Sequence, residues 1–202
     1  MILQFVACGT YCCRGRQNLR QKYGREDGTS YALVTGGSEG LGLELCDQLA
    51  AQGFNILMLS RNGAKIEGKI AELKQRHPAI KFKGIEADCS SKTSVKEYSE
   101  LIAQEMGDLD IGIVCLNAGC WVDGPTDLVS DADFERVFGL NGLHVVYLTK
   151  ALLPKLLARG QRSALMVTSS GLANVAMPGI ASYSATKAMV SNFTQALHFE
   201  VR

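Results

Sequence analysis

Short apolar segments alternate along the chain with longer segments in which apolar residues recur every three or four positions. The short segments predict β-strands, each too apolar to have one face in water, and the longer segments predict helices. In order, the predicted strands are 31–35, 55–60, 80–87, 111–117 and 164–169, and the predicted helices are 40–52, 64–77, 94–106, 131–158 and 182–202. Strands and helices in alternation predict one α/β domain built on a parallel sheet that helices cover.

Composition and charge are those of a single folded domain. The chain has 202 residues, of which 47% are hydrophobic and 20% are charged, which is enough apolar material to form a core. No linker or low-complexity segment interrupts residues 31–202, so we predict that they form one domain and that residues 1–30 form a separate N-terminal segment. A formal net charge of +1 offers phosphates no surplus of basic residues, so no nucleic-acid partner is predicted.

Cysteine and histidine spacing argues against metal and disulfide sites. The seven cysteines, an odd number, include no Cys-x-x-Cys pair and have no metal-ligand spacing with the three histidines. We therefore predict reduced thiols and no metal site. His144 and His198 lie on apolar helical segments and are expected to be packed or surface side chains, and His77 is expected to end a helix.

The first thirteen residues are apolar apart from Gln4 and Thr10. This segment is shorter than the ~20 residues that a membrane-spanning helix needs. Five basic residues follow it before the first acidic residue, an asymmetry typical of the cytoplasmic side of a membrane segment. The segment therefore fits either a short or clipped membrane anchor or an unstructured terminus.

A glycine-rich loop joins the first predicted strand to the first predicted helix, and its residues read TGGSEGLG. Gly36 permits a tight turn, Gly40 lets backbone amides approach a pyrophosphate, and Gly42 lets the helix pack closely on the strand. The helix N-terminus adds a favourable field for an anion. The loop predicts a dinucleotide site to which Ser38 and Leu41 also contribute, although glycine-rich turns also occur as packing devices.

The residues that end the second predicted strand bear on which dinucleotide binds. An NAD site usually offers a carboxylate there to the ribose hydroxyls, whereas this chain has Ser60 and Arg61. The planar guanidinium of Arg61 can pair with a 2′-phosphate, which favours NADP over NAD. Glu39 in the glycine loop would repel that phosphate, and Arg61 could also be only a solvated strand-end residue.

Two further strand ends carry polar or small residues at the edge where open parallel sheets bind ligands. Asp88 follows the third predicted strand and can accept a hydrogen bond from an adenine amino group, although an Asp in this position is as often a turn cap. Asn117, Ala118 and Gly119 close the fourth strand and let the backbone lie against a cofactor. The predicted cofactor site therefore extends along one edge of the sheet.

Ser170, Tyr183 and Lys187 carry the most specific chemistry. Tyr183 lies thirteen residues after Ser170, and Lys187 lies four residues after Tyr183, so the phenol and the ammonium share one helix face. A free phenol has a pKa of ~10, and a neighbouring cation favours its ionised form. The pattern predicts ketone reduction in which Tyr183 supplies the proton and Ser170 hydrogen-bonds the carbonyl oxygen. Ser169 is an alternative for the serine role, and a Tyr-Lys pair can also be a surface pair.

These motifs together resemble the short-chain dehydrogenase/reductase family, in which they occur in the same order: TGGSEGLG, the Asn-Ala-Gly of 117–119, Asn141, Ser170, and the YSATK of 183–187. The resemblance implies a Rossmann-like, doubly wound parallel sheet and a nicotinamide cofactor. It also implies that Lys187 binds the nicotinamide ribose and that Asn141 holds a water next to Lys187.

Residues 107–114 and the serine and tyrosine motifs look like the branch of very-long-chain 3-oxoacyl-CoA reductases and hydroxysteroid dehydrogenases. That branch implies NADPH, a lipid-like ketone (a 3-oxoacyl-CoA, a 3-ketosphingoid or a steroid) and the cytoplasmic face of the endoplasmic reticulum membrane. For a full-length form, a homo-oligomer is expected.

The family fold runs beyond the Tyr-Lys helix through two more strands, whereas this chain stops at Arg202. We therefore expect either a fragment, or a short form whose exposed sheet edge needs a partner. Two functions follow from the sequence. The first is an NADPH-dependent carbonyl reductase or alcohol dehydrogenase, for which Cys120 and Trp121 are expected either to line the substrate cleft or only to pack within their loop. The second is a non-catalytic, truncated nucleotide-binding module.

Overall fold

Five parallel strands form the sheet of the computed structural model, which describes residues 18–201. They are β1 (Tyr31–Thr35), β2 (Asn55–Ser60), β3 (Phe82–Glu86), β4 (Ile111–Leu116) and β5 (Ala164–Val167). Their order across the sheet is β3-β2-β1-β4-β5, and every neighbouring pair is parallel. The chain winds one way from β1 to β3 and the other way from β4 to β5, which confirms the doubly wound, Rossmann-like sheet.

Helices cover both faces of this sheet. They are α1 (Leu19–Tyr23), α2 (Gly40–Ala51), α3 (Gly63–Arg76), α4 (Val95–Glu105), α5 (Asp131–Phe138), α6 (His144–Leu157) and α7 (Ala181–Glu200). One hydrophobic cluster joins the sheet to α4, α6 and α7, and a second joins it to α1, α2 and α3. Consecutive strand residues point to opposite clusters, because side chains alternate along a strand. In β1, Leu33 belongs to the first cluster and Ala32 and Val34 belong to the second.

The prediction that every strand is buried on both faces is wrong for β3. This strand is shorter than the predicted 80–87, and Ile85 is its only buried residue. β3 lies at the edge of the sheet and pairs only with β2, so its polar residues reach the surface. Lys83, for example, forms an ion pair with Glu105 at 3.0 Å. The bounds of the other predicted strands lie within two residues of the observed ones.

The predicted helix 131–158 is also wrong as one regular helix. α5 ends at Phe138, a π-helical turn spans Gly139–Leu143, and α6 begins at His144. The backbone N–H of His144 donates to the Gly139 carbonyl, one residue further back than in an α-helix. This turn inserts a residue, and an α-helix rotates about 100° per residue, so the two helices present different faces from those of a continuous helix.

The short helix α1 is not evident from the hydrophobic pattern. Its Tyr23 is buried in the second cluster, and the Tyr23 carbonyl accepts a hydrogen bond from Arg159 Nη2 at 3.0 Å. The same guanidinium donates two hydrogen bonds of 2.8 Å to Asp110, which fixes α1 against the loops before β1 and β4. The predicted anchor at residues 1–13 lies outside the described residues. A search of the helices in 18–201 finds none with the length and apolar content to cross a membrane.

Candidate active site

The glycine-rich loop lies at the carboxyl end of β1, where the winding direction of the sheet reverses. Gly36 and Gly40 have positive φ angles of 67° and 53°, which residues with a Cβ rarely adopt. A Cβ on Gly42 would collide with the Gly36 carbonyl oxygen. The shape of the loop therefore requires glycine at all three motif positions.

Thr35 links the ends of the central strands. Its Oγ1 accepts hydrogen bonds from the backbone N–H of Asn117 at 3.0 Å and of Ala118 at 3.1 Å. Asn117 Oδ1 accepts a hydrogen bond from Thr168 Oγ1, just beyond β5, at 3.1 Å. These contacts hold the ends of β1, β4 and β5 in register, so the Asn117 side chain positions the edge of the cleft.

A cavity of about 190 Å³ lies against the glycine loop. Of the predicted cofactor residues, Gly36, Arg61, Asp88, Asn117, Ala118 and Gly119 line it. Ser38 is buried behind the loop and its hydroxyl lies 2.8 Å from that of Ser60. Leu41 is exposed in the first turn of α2. Six of the predicted cofactor residues therefore line one cavity, whereas Ser38, Gly40, Leu41 and Gly42 do not line it.

The glycine loop and the end of β4 lie close together at Gly36. A Cβ on Gly36 would lie 3.0 Å from the Ala118 Cα, so a side chain there would close the gap between the loop and the end of β4. The absence of a side chain on Gly36, opposite the small side chain of Ala118, leaves backbone that a pyrophosphate can approach closely. Within residues 18–201, no group of three His, Cys, Asp or Glu side chains is placed to hold a metal ion, and Cys46, Cys89, Cys115 and Cys120 are free thiols.

Asp88 is a turn cap that also lines the cavity. Its Oδ1 accepts hydrogen bonds from the Ser90 backbone N–H at 2.8 Å and from Ser90 Oγ at 2.7 Å. Burial acts to raise the pKa of Asp88, but these hydrogen bonds and the charges of Arg61 and Arg136 outweigh burial and hold the pKa below its ordinary value. Both expectations for this residue are therefore compatible with its position.

Lys65 on α3 forms an ion pair with Glu39 of the glycine loop. The hydrogen bond and the charge of Lys65 lower the pKa of Glu39, and the charge of Arg61 lowers it further. Glu39 and Arg61 both line the cavity, and Arg61 is exposed there. Lys65, 26 residues from Glu39 along the chain, thus offsets part of the negative charge that the glycine loop places at the cavity.

Tyr183 and Lys187 lie on successive turns of α7. Lys187 is buried, its Nζ donates a hydrogen bond of 2.8 Å to the Thr168 carbonyl, and it lies 5.7 Å from the centre of the Tyr183 ring. Burial lowers the pKa of Lys187. Both residues line a second, open cleft, together with Asn117, Gly119, Cys120, Trp121, Thr168 and Ser169. The Tyr-Lys pair is therefore next to the cofactor cleft rather than on a distant surface.

The two candidate serines have different hydrogen bonds. Ser169 lines the open cleft, but its hydroxyl donates to the Lys187 carbonyl at 3.2 Å and lies 2.6 Å from Ser191 Oγ. Ser170 begins a short 3₁₀ turn, and its Oγ accepts a hydrogen bond from the Leu172 N–H at 3.2 Å. Ser169 thus bonds to α7, whereas the Ser170 hydroxyl keeps its own proton for donation.

Asn141 is fully buried in the π-helical turn. Its Oδ1 accepts a hydrogen bond from the Cys120 N–H at 2.8 Å, and its Nδ2 donates to the Cys120 carbonyl at 2.9 Å. A Cβ on Gly119 would lie 3.2 Å from Asn141 Oδ1 and 3.6 Å from Lys187 Nζ. Asn141 therefore holds the loop after β4 and lies on the same side of it as Lys187.

Two residues extend the site beyond the sequence motifs. Arg136 on α5 lines the cofactor cavity, and nothing in its local sequence marks it, because the fold brings it there from a distant helix. Trp121 packs on Tyr183 with ring centres 5.3 Å apart, and its indole N–H lies 3.2 Å from Asp123 Oδ1. The expectation that Cys120 and Trp121 line a cleft agrees with their positions.

Solved structures share this fold. An alcohol dehydrogenase from the archaeon Thermococcus sibiricus, complexed with 5-hydroxy-NADP, is 26% identical with a TM-score of 0.74, covering 85% of this chain and 71% of that one. A short-chain dehydrogenase/reductase from Burkholderia phymatum in complex with NAD is 21% identical with a TM-score of 0.77, covering 86% of this chain and 60% of that one. Structures with this fold thus include complexes with either cofactor.

Sequence comparisons agree with the fold. The very-long-chain 3-oxoacyl-CoA reductase of Neurospora crassa is 34% identical over 200 residues, which are 98% of this chain and 56% of the relative. The chain therefore spans about half the length of the curated relatives it matches. The family model described as short chain dehydrogenase matches residues 30–202. With the glycine loop, the strand ends and the Tyr-Lys helix in the family's arrangement, this chain belongs to the short-chain dehydrogenase/reductase family.

Proposed function

We propose that this protein is an NADPH-dependent carbonyl reductase or alcohol dehydrogenase that acts on a lipid-like ketone. The observation that carries the proposal is the placement of Tyr183 and buried Lys187 in a cleft next to the glycine-loop cavity. Asn117, Gly119 and Cys120 line both clefts, so a dinucleotide and a ketone would meet at the end of β4.

The dinucleotide would lie with its pyrophosphate at the glycine loop and the N-terminus of α2, and Asp88 would accept a hydrogen bond from its adenine. Arg61 and Lys65 favour a 2′-phosphate, and therefore NADP over NAD, because Lys65 already neutralises Glu39. When bound, the cofactor supplies or accepts the hydride.

Tyr183 would donate the proton that the reduced carbonyl oxygen takes up, and would accept it in the oxidation direction. The positive charge of Lys187 stabilises the phenolate that donation leaves. The Ser170 hydroxyl would hydrogen-bond the carbonyl oxygen and stabilise its developing charge. Asn141 would support Tyr183, Lys187 and Ser170 by holding the loop after β4. As the resemblance implies, Asn141 would also hold a water next to Lys187.

Exposed apolar side chains favour a lipid-like substrate. Trp121 lies over Tyr183, and the loop that follows it is joined to the segment before α7 by a 2.8 Å hydrogen bond from the Gly124 N–H to the Gly179 carbonyl. That segment exposes Val175 and Met177. The exposed ring of Trp121, in contact with Tyr183, gives apolar surface that suits the chain of a 3-oxoacyl-CoA, a 3-ketosphingoid or a steroid.

The similarity to the Neurospora crassa relative, a very-long-chain 3-oxoacyl-CoA reductase, supports the same substrate class. We include in the proposal association with the cytoplasmic face of the endoplasmic reticulum membrane and a homo-oligomeric full-length form. Carbonate extraction of membranes followed by immunodetection, and light scattering of the purified protein, test these two points.

Ketone reduction by wild type and by Tyr183→Phe tests the proposal. Tyr183→Phe deletes one hydroxyl, so we expect NADPH affinity to stay within about twofold while turnover falls roughly 10²- to 10⁴-fold, the range for loss of a general acid. Thr29→Val, in the exposed loop before the amino end of β1 and therefore at the edge of the sheet opposite the glycine loop, is the control for handling. If wild type binds NADPH but reduces none of the three ketone classes, the non-catalytic nucleotide-binding module is the correct function.

A further inference from the structure

The π-helical turn before α6 contains a hydrogen bond from a side chain to the backbone. In an uninterrupted α-helix the backbone N–H of His144 would donate to the Leu140 carbonyl. Here that N–H donates to the Gly139 carbonyl, and Nδ1 of the His144 ring lies 3.0 Å from the Leu140 oxygen. Because a carbonyl oxygen only accepts, Nδ1 carries the proton and donates it. The imidazole thus replaces the backbone donor that the π turn removes.

His144 is costly to bury in this way. The side chain has no solvent exposure, it packs 6.3 Å from the ring of Tyr98, and its Nε2 has no hydrogen-bond partner among residues 18–201. Burial lowers its pKa to about 4, against the opposing effect of the Leu140 carbonyl, so the ring is neutral at neutral pH. A leucine would fill the same space without an unsatisfied nitrogen. What distinguishes the histidine is the bond its other nitrogen makes.

The turn that this bond supports carries Asn141. Asn141 makes two hydrogen bonds to the backbone of Cys120, and its Nδ2 lies 3.5 Å from Thr186 Oγ1 on α7. Thr186 directly precedes Lys187. If the turn relaxed into regular α-helix, the α-helical rotation of about 100° per residue would move Asn141 away from Cys120.

We propose that His144 is a positioning residue whose Nδ1–H, bonded to the Leu140 carbonyl, holds the π-helical turn that sets Asn141 against Cys120 and beside Lys187. The inference rests on the proposed function, because it assigns His144 to the support of the site that this function uses. His144 itself touches neither of the two clefts.

Two substitutions separate the hydrogen bond from packing. In His144→Asn the amide nitrogen is attached to Cγ, as Nδ1 is in histidine, so the donor is kept. His144→Leu keeps an apolar side chain of similar size and removes the donor. If His144 only filled space, His144→Leu would be the milder change; if it positions Asn141, His144→Asn is milder.

Hydrogen exchange at Cys120 measures positioning without reference to catalysis, because the Cys120 N–H donates to Asn141 Oδ1. In His144→Leu the buried Leu140 carbonyl loses its side-chain donor. We therefore expect the Cys120 amide to exchange roughly tenfold faster or more. We expect kcat for ketone reduction to fall by a similar factor with the KM for NADPH within about twofold. His144→Asn should keep exchange and kcat within about twofold of wild type.

A folded His144→Leu protein with wild-type Cys120 exchange and wild-type kcat would overturn the assignment. His144→Met, unbranched and without a donor, replaces it if His144→Leu does not fold. If both donor-free variants unfold while His144→Asn folds, the bond stabilises the whole domain and the positioning assignment is also overturned. Should wild type reduce no ketone, the proposed function fails, but the exchange comparison still decides the role of His144.

Discussion

Replacing Lys65 with Met removes the cation that offsets Glu39 at the rim of the cofactor cavity. Met keeps much of the length of the side chain on α3 and removes its charge. Glu39 then carries an uncompensated negative charge close to the position at which Arg61 would hold a 2′-phosphate. We expect NADPH to bind more weakly and NADH, which has no 2′-phosphate, to bind as before.

The exposure of the pair limits the size of this effect. The Glu39 side chain is 72% exposed and that of Lys65 is 38% exposed, so water screens both. Coulomb's law in water gives ~0.5 kcal/mol for unit charges ~8 Å apart, and ~1 kcal/mol for a doubly charged phosphate. Screening at a Debye length of ~8 Å reduces this by about half to two-thirds. The expected loss is therefore roughly twofold in NADPH affinity.

Arg61 should matter more, because it would make direct charge-assisted hydrogen bonds to the phosphate. Such bonds contribute ~1.5–3 kcal/mol, which corresponds to roughly 10- to 150-fold in affinity. Arg61→Ala should lose this much NADPH affinity with little change for NADH. The two substitutions thus differ in size for a physical reason: Arg61 would contact the phosphate directly, whereas Glu39 would act on it only as a solvent-screened neighbouring charge.

Fluorescence titration of NADPH and NADH against wild type, Lys65→Met, Glu39→Gln, Arg61→Ala and the double variant Glu39→Gln/Lys65→Met measures these effects. Glu39→Gln should leave NADPH affinity unchanged or slightly tighter, and the double variant should bind close to wild type. In ~1 M salt, where the Debye length is ~3 Å, the Lys65→Met effect should disappear.

Equal loss of NADPH and NADH affinity in Lys65→Met would refute the reasoning, because the damage would then not concern the 2′-phosphate. A double variant as weak as Lys65→Met would show that Lys65 acts by a route other than Glu39. Tighter NADH than NADPH binding by wild type would instead refute the cofactor preference itself.

Other consequences of the structure concern the loop, the buried lysine and the buried histidine. Gly42→Ala should abolish dinucleotide binding, because its Cβ would collide with the Gly36 carbonyl, whereas Gly68→Ala on the open side of α3 should stabilise the protein by about 0.5–1 kcal/mol. Lys187→Met should raise the melting temperature at neutral pH, because burial lowers the pKa of Lys187 in the folded state. In wild type the free energy of unfolding should therefore rise with pH up to the unfolded-state pKa near 10.5. The variant should lack this rise. In the folded state the pKa of His144 is about 4, below its ordinary value of 6.5. Between these two pH values the unfolded state is protonated at His144 and the folded state is not. The free energy of unfolding should therefore fall by up to about 3 kcal/mol from pH 6.5 to 4. Denaturant titrations at stepped pH should show no such fall in His144→Asn, and an identical fall would contradict the assignment of the proton to this ring.

The sequence by itself determined the elements and much of the cleft. Strand and helix bounds follow from local periodicity, which is why those of β1, β2 and α2 were predicted within one residue. The requirement for glycine at Gly42 is also local, since the collision is with Gly36 in the same loop. Tyr183 and Lys187 share a helix face because they are four residues apart.

Tertiary structure decided which charges and hydrogen bonds these residues meet. Glu39 and Lys65 are 26 residues apart and meet only because α3 returns beside the glycine loop. Arg136 reaches the cofactor cavity from α5, and β3 is partly exposed because the winding puts it at the sheet edge. The π turn at Asn141 is invisible to hydrophobic periodicity, because one inserted residue in a long apolar segment changes which side chains meet across helices without changing how apolar they are.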